Sequence, residues 1–166
     1  IIDIGTGSGC IGITLAKEIP SSNVIAIDFS EKALAVAEEN AKNIGIKNID
    51  FVKSDFLKQS INLRADLLVS NPPYIPKEDI SNLMSDVKEY EPREALTDNL
   101  DGLEFYRVFS KKFDTMIKID GALIVETGKD EHPLEAKKIF EQSGHVKVEM
   151  INDYNGDIRV LKVMKC

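Results

Sequence analysis

The first nineteen residues narrow the fold more than any other part of the chain. The apolar run Ile1-Ile2-Asp3-Ile4 passes directly into Gly5-Thr6-Gly7-Ser8-Gly9. Ile11, Leu15 and Ile19 then recur at helical spacing until Pro20 stops them. Strand, glycine turn and helix form the opening unit of a βαβ fold of the dinucleotide-binding type. The glycines permit a tight turn and a close approach of backbone to ligand.

The alternation continues. Asn23–Ile27 reads as a strand ending at Asp28. Ser30 is placed to cap a helix with a buried stripe of Leu34, Ala37, Ala41 and Ile44, closed by Gly45. Asn48–Val52 is a third strand leading to Asp55-Phe56, and Ala65–Ser70 a fourth. No period holds from Lys77 to Leu100, a length typical of functional lids or disordered segments. Asp101-Gly102-Leu103-Glu104 reads as a capping box before a helix with Phe105, Phe109 and Phe113 in the core. Gly121–Val125 is a strand ending at Glu126, and the next helix buries Ala136, Ile139 and Phe140 and closes at Gly144. Val146–Ile151 and Ile158–Met164 have no helix between them and read as an antiparallel pair. The expected fold is α/β, Rossmann-like and doubly wound. Its seven-stranded sheet is mainly parallel, with an antiparallel C-terminal strand pair. Asp3, Asp28, Asp55, Asn71 and Glu126 all fall at or near carboxyl ends of strands, the edge where such sheets bind ligands.

A chain of 166 residues is expected to form one domain around a single core. Its formal charge of -7 argues against affinity obtained by neutralising nucleic-acid phosphates, so no direct nucleic-acid binding is expected. Cys10 and Cys166 are too few and too far apart for a disulfide framework or a metal quartet, and His132 and His145 read as surface or packing residues. No apolar run reaches membrane-spanning length, and a reducing cytoplasm fits. Ile1-Ile2-Asp3 reads as the tail of a buried strand, so the chain is expected to be N-terminally incomplete.

Asn71-Pro72-Pro73-Tyr74-Ile75-Pro76 follows the fourth strand. Proline fixes φ and lacks an N–H, and the residue before it is held extended, so this exit is stiff. It presents the Asn71 side-chain amide, a Pro72 carbonyl that no adjoining strand need claim, and an aromatic ring at Tyr74. Two acceptors and a ring suit a planar group bearing an N–H2.

The glycine pattern alone is ambiguous, since Gly7-Ser8-Gly9-Cys10-Ile11-Gly12 also satisfies the G-x-G-x-x-G of nicotinamide enzymes. Asp28 stands where either cofactor class places a carboxylate on ribose hydroxyls. Asp3 tilts the choice, because a carboxylate before the turn repels a pyrophosphate and suits a cation. S-adenosylmethionine carries an amino group and a sulfonium, and no phosphate.

DIGTGSG, AIDFS, SDF and NPPY together resemble class I S-adenosylmethionine-dependent methyltransferases. NPPYIP with EPREAL (91–96), DGLEFYR (101–107) and GDIRV (156–160) resembles, more narrowly, the HemK/PrmC family of peptide chain release factor glutamine methyltransferases. The resemblance covers essentially the whole chain, as a catalytic domain spanning 1–166. The family's preceding helical substrate-binding domain is expected to be absent. It implies that Gly5, Thr6, Gly7, Ser8 and Gly9 wrap the methionine part of the cofactor, with Asp3 near its amino group and Asp28 on the ribose. Asp55 and Phe56 would flank the adenine, with Asn71 also beside the cofactor. Asn71 and the Pro72 carbonyl would hold a substrate glutamine amide, with Pro73, Tyr74 and Ile75 lining its slot. Asn71, Pro72 and Tyr74 would serve catalysis, with S-adenosylhomocysteine as product and no metal. The implied partner is a release factor carrying a Gly-Gly-Gln motif, with no membrane involved. The alternatives are methylation of the exocyclic amine of adenine in DNA or RNA, a nicotinamide dehydrogenase, and a non-catalytic S-adenosylmethionine-binding module.

Overall fold

The computed structural model describes residues 1–84, 92–144 and 146–166. Its strands are β1 (Ile2–Ile4), β2 (Val24–Asp28), β3 (Ile49–Lys53), β4 (Ala65–Ser70), β5 (Ile117–Glu126), β6 (Val146–Asn152) and β7 (Ile158–Lys165). They form one seven-stranded sheet in the order β3-β2-β1-β4-β5-β7-β6. β1 runs parallel to β2 and β4, β2 runs parallel to β3, and β6 and β7 are antiparallel. The expected mainly parallel sheet with its antiparallel C-terminal pair is present. The chain divides into two compact units, Ile1–Asn71 with Thr115–Ile124, and Pro72–Asp114 with Val125–Cys166.

In the first unit β1 is buried along its whole length, as the continuous apolar run implied, and Asp3 is buried with it. Helix α1 (Cys10–Glu18) turns a different face inward from the expected one. Gly12, Ile13 and Ala16 are buried, whereas Ile11 and Ile19 are exposed and Leu15 is half-buried. The cause is Gly12: an added Cβ there would lie 2.9 Å from Asp3 Oδ2, so α1 sits on β1 through a residue without a side chain. Helix α2 (Glu31–Ile44) follows expectation at both ends. Ser30 accepts the Ala33 N–H at 3.3 Å, and Gly45 closes the helix at φ 80°. Its buried stripe is Leu34, Ala37 and Ala41, but Ile44 is exposed in the last turn. Ile13, Ala16, Val24, Ala26, Ala41 and Ile49 form one apolar cluster beneath these helices.

In the second unit the segment after β4 contains a 3-10 turn (Lys77–Asn82) and a short helix α3 (Arg93–Leu96). Part of the aperiodic 77–100 stretch, including Glu91, lies outside the described residues, as does His145. Helix α4 (Glu104–Met116) buries Tyr106, Phe109 and Phe113, with Phe105 half-buried. The expected capping box at 101–104 is not what starts it. The Glu104 N–H donates to Asp98 Oδ2 at 2.9 Å, and the other oxygen of Asp98 accepts from Leu100 and Gly102. Asp101 instead accepts the Leu103 N–H and pairs with Arg107, which holds its carboxyl down at about 2. Helix α5 (His132–Gln142) buries Pro133, Ala136 and Phe140, with Ile139 half-buried. In the terminal pair Val148 faces Val163, and Met150 faces Leu161.

Candidate active site

The glycine turn lies wholly within the first unit. Gly5, Gly7 and Gly9 have φ of 69°, 56° and 87°, a region that side chains disfavour. Two buried carboxylates hold the turn in that shape. Asp3 Oδ2 accepts the Thr6 hydroxyl at 2.6 Å and the Gly12 N–H at 2.9 Å. Asp28 accepts the Gly7 N–H and the Ser30 N–H, each at 2.9 Å, on separate oxygens. The N–H groups of Gly5 and Thr6 donate to the Ile27 carbonyl, and Asn40 donates to the Ser8 carbonyl at 2.9 Å. The Asn40 contact was not foreseen, because nothing in local sequence ties a mid-helix asparagine to a loop thirty-two residues away.

Asp3 is 1% exposed, so it acts from beneath the turn. Burial raises its pKa, and the bonds from Thr6 and Gly12 work against that rise. Its Oδ1 is buried and has no hydrogen-bond partner among the described residues. Cβ atoms built on Gly5 and Gly7 would meet nothing within 4 Å, so the outer side of the turn is open. An open cradle backed by Asp3 and Asp28 fits a ligand carrying positive charge and disfavours a pyrophosphate. Each Asp28 oxygen keeps a further lone pair for a hydroxyl.

Asp55 and Phe56 follow β3. Asp55 pairs with Lys58 at 2.8 Å, which lowers its pKa, and it accepts the Leu57 N–H. Ser54 ties this turn to β2 by donating to the Asp28 carbonyl at 2.9 Å. Phe56 is buried.

Asn71 is the first residue after β4. Ser70, immediately before it, is buried and donates to the Ile4 carbonyl at 2.7 Å, which fixes the end of β4 against β1. Asn71 is exposed, and among the described residues its side-chain amide has no hydrogen-bond partner. The Pro72 carbonyl is likewise unclaimed among the described residues.

In the second unit, the backbone beyond Pro73 is clamped by the segments whose motifs accompanied NPPYIP in sequence. The Ile75 N–H donates to the Leu96 carbonyl and the Lys77 N–H to the Leu100 carbonyl, at 3.0 and 2.9 Å. Gly102, at φ 79°, lies so close to Tyr74 that an added Cβ would sit 2.3 Å from the Tyr74 carbonyl oxygen. Pro73, Tyr74 and Ile75 are half-buried.

The Tyr74 hydroxyl meets a charged pair. It accepts from Arg159 at 3.1 Å and donates to Glu126 Oε1 at 3.3 Å, and Arg159 bonds the same Glu126 oxygen at 3.0 Å. The Arg159 guanidinium also stands 5.5 Å from the Tyr74 ring centroid. Burial works against the Arg159 charge, but the Tyr74 hydroxyl and the Glu126 carboxylate outweigh it and raise its pKa. Tyr106 donates to the Glu126 carbonyl at 2.6 Å, and burial pushes its phenol pKa well up. His132 is edge-on to the rings of Tyr74 and Tyr106. Its Nδ1 accepts the Gly128 N–H, which leaves Nε2 to donate to the Gly102 carbonyl; burial lowers its pKa and keeps it neutral. His132 is thus a packing residue, as expected, with two defined bonds. Glu126 was foreseen as a strand-end residue. Arg159 was visible only as part of GDIRV, and its partner lies eighty-five residues away.

A family model described as a methyltransferase domain matches residues 1–162. The chain is 42% identical over 166 residues to a release factor glutamine methyltransferase of Fusobacterium nucleatum, covering 99% of this chain and 47% of that protein. It is 38% identical over 163 residues to the Bacillus subtilis protein of the same name, covering 97% and 56%. The chain therefore spans about half the length of the curated relatives it matches. The crystal structure of a ribosomal protein L11 methylase from Lactobacillus delbrueckii superposes with a TM-score of 0.69 at 21% identity, over 99% of this chain and 68% of that one. The matched domain model, the sheet order and the glycine turn agree: the chain belongs to the methyltransferase domain family.

Proposed function

We propose that the chain transfers a methyl group from S-adenosylmethionine to the side-chain amide nitrogen of a glutamine in a protein, the Gly-Gly-Gln motif of a peptide chain release factor. Residues 1–166 act as its catalytic domain, in the cytoplasm. The observation that carries this reading is the Asn71–Tyr74 stretch: an exposed Asn71 amide and an unclaimed Pro72 carbonyl, followed by a clamped Tyr74. The names of the relatives that match nearly the whole chain support it.

When bound, S-adenosylmethionine supplies an electrophilic methyl group on a sulfonium. The residues that would hold it are Gly5, Thr6, Gly7, Ser8 and Gly9 with the Asp3 charge behind them, Asp28 for the ribose hydroxyls, and Asp55 and Phe56 at the adenine end. A glutamine amide nitrogen is a poor nucleophile because its lone pair is delocalised into the carbonyl. The Asn71 Oδ1 and the Pro72 carbonyl oxygen each accept one of its hydrogens, which fixes the direction of the nitrogen. The same two dipoles stabilise positive charge as it develops there. Pro73, Tyr74 and Ile75 line the slot, with the Tyr74 ring over the amide plane. The N-methylated amide loses its extra proton readily, so the reaction needs no strong general base.

Mass spectrometry of methyl transfer tests this reading, with a release factor and an adenine-containing oligonucleotide offered together. A gain of one methyl on the Gly-Gly-Gln peptide is expected. Methylation of the oligonucleotide instead would replace the glutamine reading with transfer to an exocyclic amine.

A further inference from the structure

We infer that Arg159 is a positioning residue for methyl transfer, acting through Tyr74; the inference rests on the glutamine reading above. Tyr74 is half-buried and lies in the stretch proposed to receive the amide, so its ring must hold a fixed plane to act as a wall. Its backbone is fixed by the Ile75–Leu96 bond and by the contact with Gly102, but these leave the ring free to turn about its side-chain bonds. The ring is set by what holds its far end. Arg159 donates to the phenol oxygen at 3.1 Å and stands 5.5 Å from the ring centroid, so it restrains both the hydroxyl and the face. Glu126 Oε1 accepts hydrogen bonds from both the Tyr74 hydroxyl and the same guanidinium nitrogen, closing a three-membered network. The Arg159 side chain is 20% exposed and that of Glu126 is 32% exposed, so the ion pair is partly withdrawn from water and holds its geometry better than a surface pair. His132 bears edge-on against the ring at a centroid distance of 6.0 Å. In this arrangement the Arg159 guanidinium is engaged by the Tyr74 hydroxyl and the Glu126 carboxylate, so it acts on the site through the Tyr74 ring.

The test combines kinetics with a readout that needs no acceptor. Arg159→Gln is expected to lower kcat for glutamine methylation by about 10- to 100-fold, since a misplacement of about 1 Å costs that much. S-adenosylmethionine affinity, measured by calorimetry, is expected to stay within about twofold. Arg159→Lys recovers part of the rate, because it restores a donor and a cation without the planar fork. In a Tyr74→Phe background the further loss from Arg159→Gln falls below about threefold, since the coupling needs the hydroxyl. An undiminished loss in that background, or no loss at all, overturns the inference. In parallel, the Tyr74 Cζ resonance in 13C-tyrosine-labelled protein, assigned by its disappearance in Tyr74→Phe, is expected to shift in Arg159→Gln. An unmoved resonance overturns the contact itself. A wild-type chain that leaves glutamine unmethylated defeats the glutamine reading alone, and the resonance then still decides whether Arg159 holds Tyr74.

Discussion

Asp28 accepts the Gly7 N–H at 2.9 Å across twenty-one residues of sequence, so the carboxylate expected to hold a ribose also shapes the turn that would hold the methionine end. Its other oxygen accepts the Ser30 N–H, which fixes the entry to α2. Asp28→Ala removes both bonds from a residue that is 7% exposed, and is expected to cost about 2–3 kcal/mol of unfolding free energy. Urea denaturation measures the loss, and calorimetry is expected to show S-adenosylmethionine affinity falling more than about tenfold. An unchanged urea midpoint would mean that the turn keeps its shape without Asp28.

Asp3 carries its charge at a cost. Burial raises its folded pKa above the unfolded value, so the penalty is present in full above the folded pKa and absent below the unfolded one. Stability therefore falls as pH rises through that window. Asp3→Asn keeps an acceptor for Thr6 and Gly12 and removes the charge. It is expected to raise the urea midpoint at pH 7, by a smaller amount at pH 4.5, while S-adenosylmethionine affinity drops about tenfold. A lower midpoint at pH 7 would contradict this reading of Asp3.

Gly102 is the residue that lets the backbone come against Tyr74. Gly102→Ala introduces a Cβ 2.3 Å from the Tyr74 carbonyl oxygen at a φ of 79°. Strain of about 1–2 kcal/mol adds to an overpacking cost of about 1–3 kcal/mol, and the expected sum is a destabilisation of at least about 2 kcal/mol. Gly45→Ala, at φ 80° with nothing within 4 Å of the added Cβ, serves as the control and is expected to lose only the strain term. Equal losses in the two variants would show that the close approach to Tyr74 does not matter.

His132 makes stability depend on pH in the opposite sense from Asp3. Its folded pKa is lowered by burial, and Nδ1 must stay unprotonated to accept from Gly128. Its contribution is complete above the unfolded value near 6.5 and is lost as pH falls from there through the folded pKa. Unfolding free energy is expected to fall between pH 7.5 and 5 with a slope of no more than about 1.4 kcal/mol per pH unit from this group. His132→Gln is expected to flatten that slope. A variant with the wild-type slope would place the dependence elsewhere.

The alternation of elements was legible because buried parallel strands leave continuous apolar runs, and because local residues mark helix ends, as Ser30 and Gly45 do for α2. What sequence could not supply was rotation and long-range pairing. The inward face of α1 is set by Gly12 lying against Asp3, a contact that hydropathy spacing does not encode. The start of α4 is organised by Asp98, six residues before Glu104, because the irregular backbone between them bends back to the helix. In the candidate site, the Asn71–Tyr74 stretch was readable because proline stiffness and side-chain chemistry are local. Asp3 was legible as the carboxylate immediately before the turn, but its enclosure in β1 beneath the turn was not visible. The Arg159–Glu126–Tyr74 network joins the β4 exit, the end of β5 and the start of β7, and only the folded chain assembles it.

The central claim is that Asn71 orients a substrate amide, and single-turnover methyl transfer by Asn71→Ala tests it most directly, with calorimetry of S-adenosylmethionine run on the same protein. Deleting one of two acceptors on the reacting nitrogen is expected to slow transfer to a Gly-Gly-Gln substrate by at least about 100-fold, with cofactor affinity largely retained. Transfer at a rate near that of the wild type would contradict the claim.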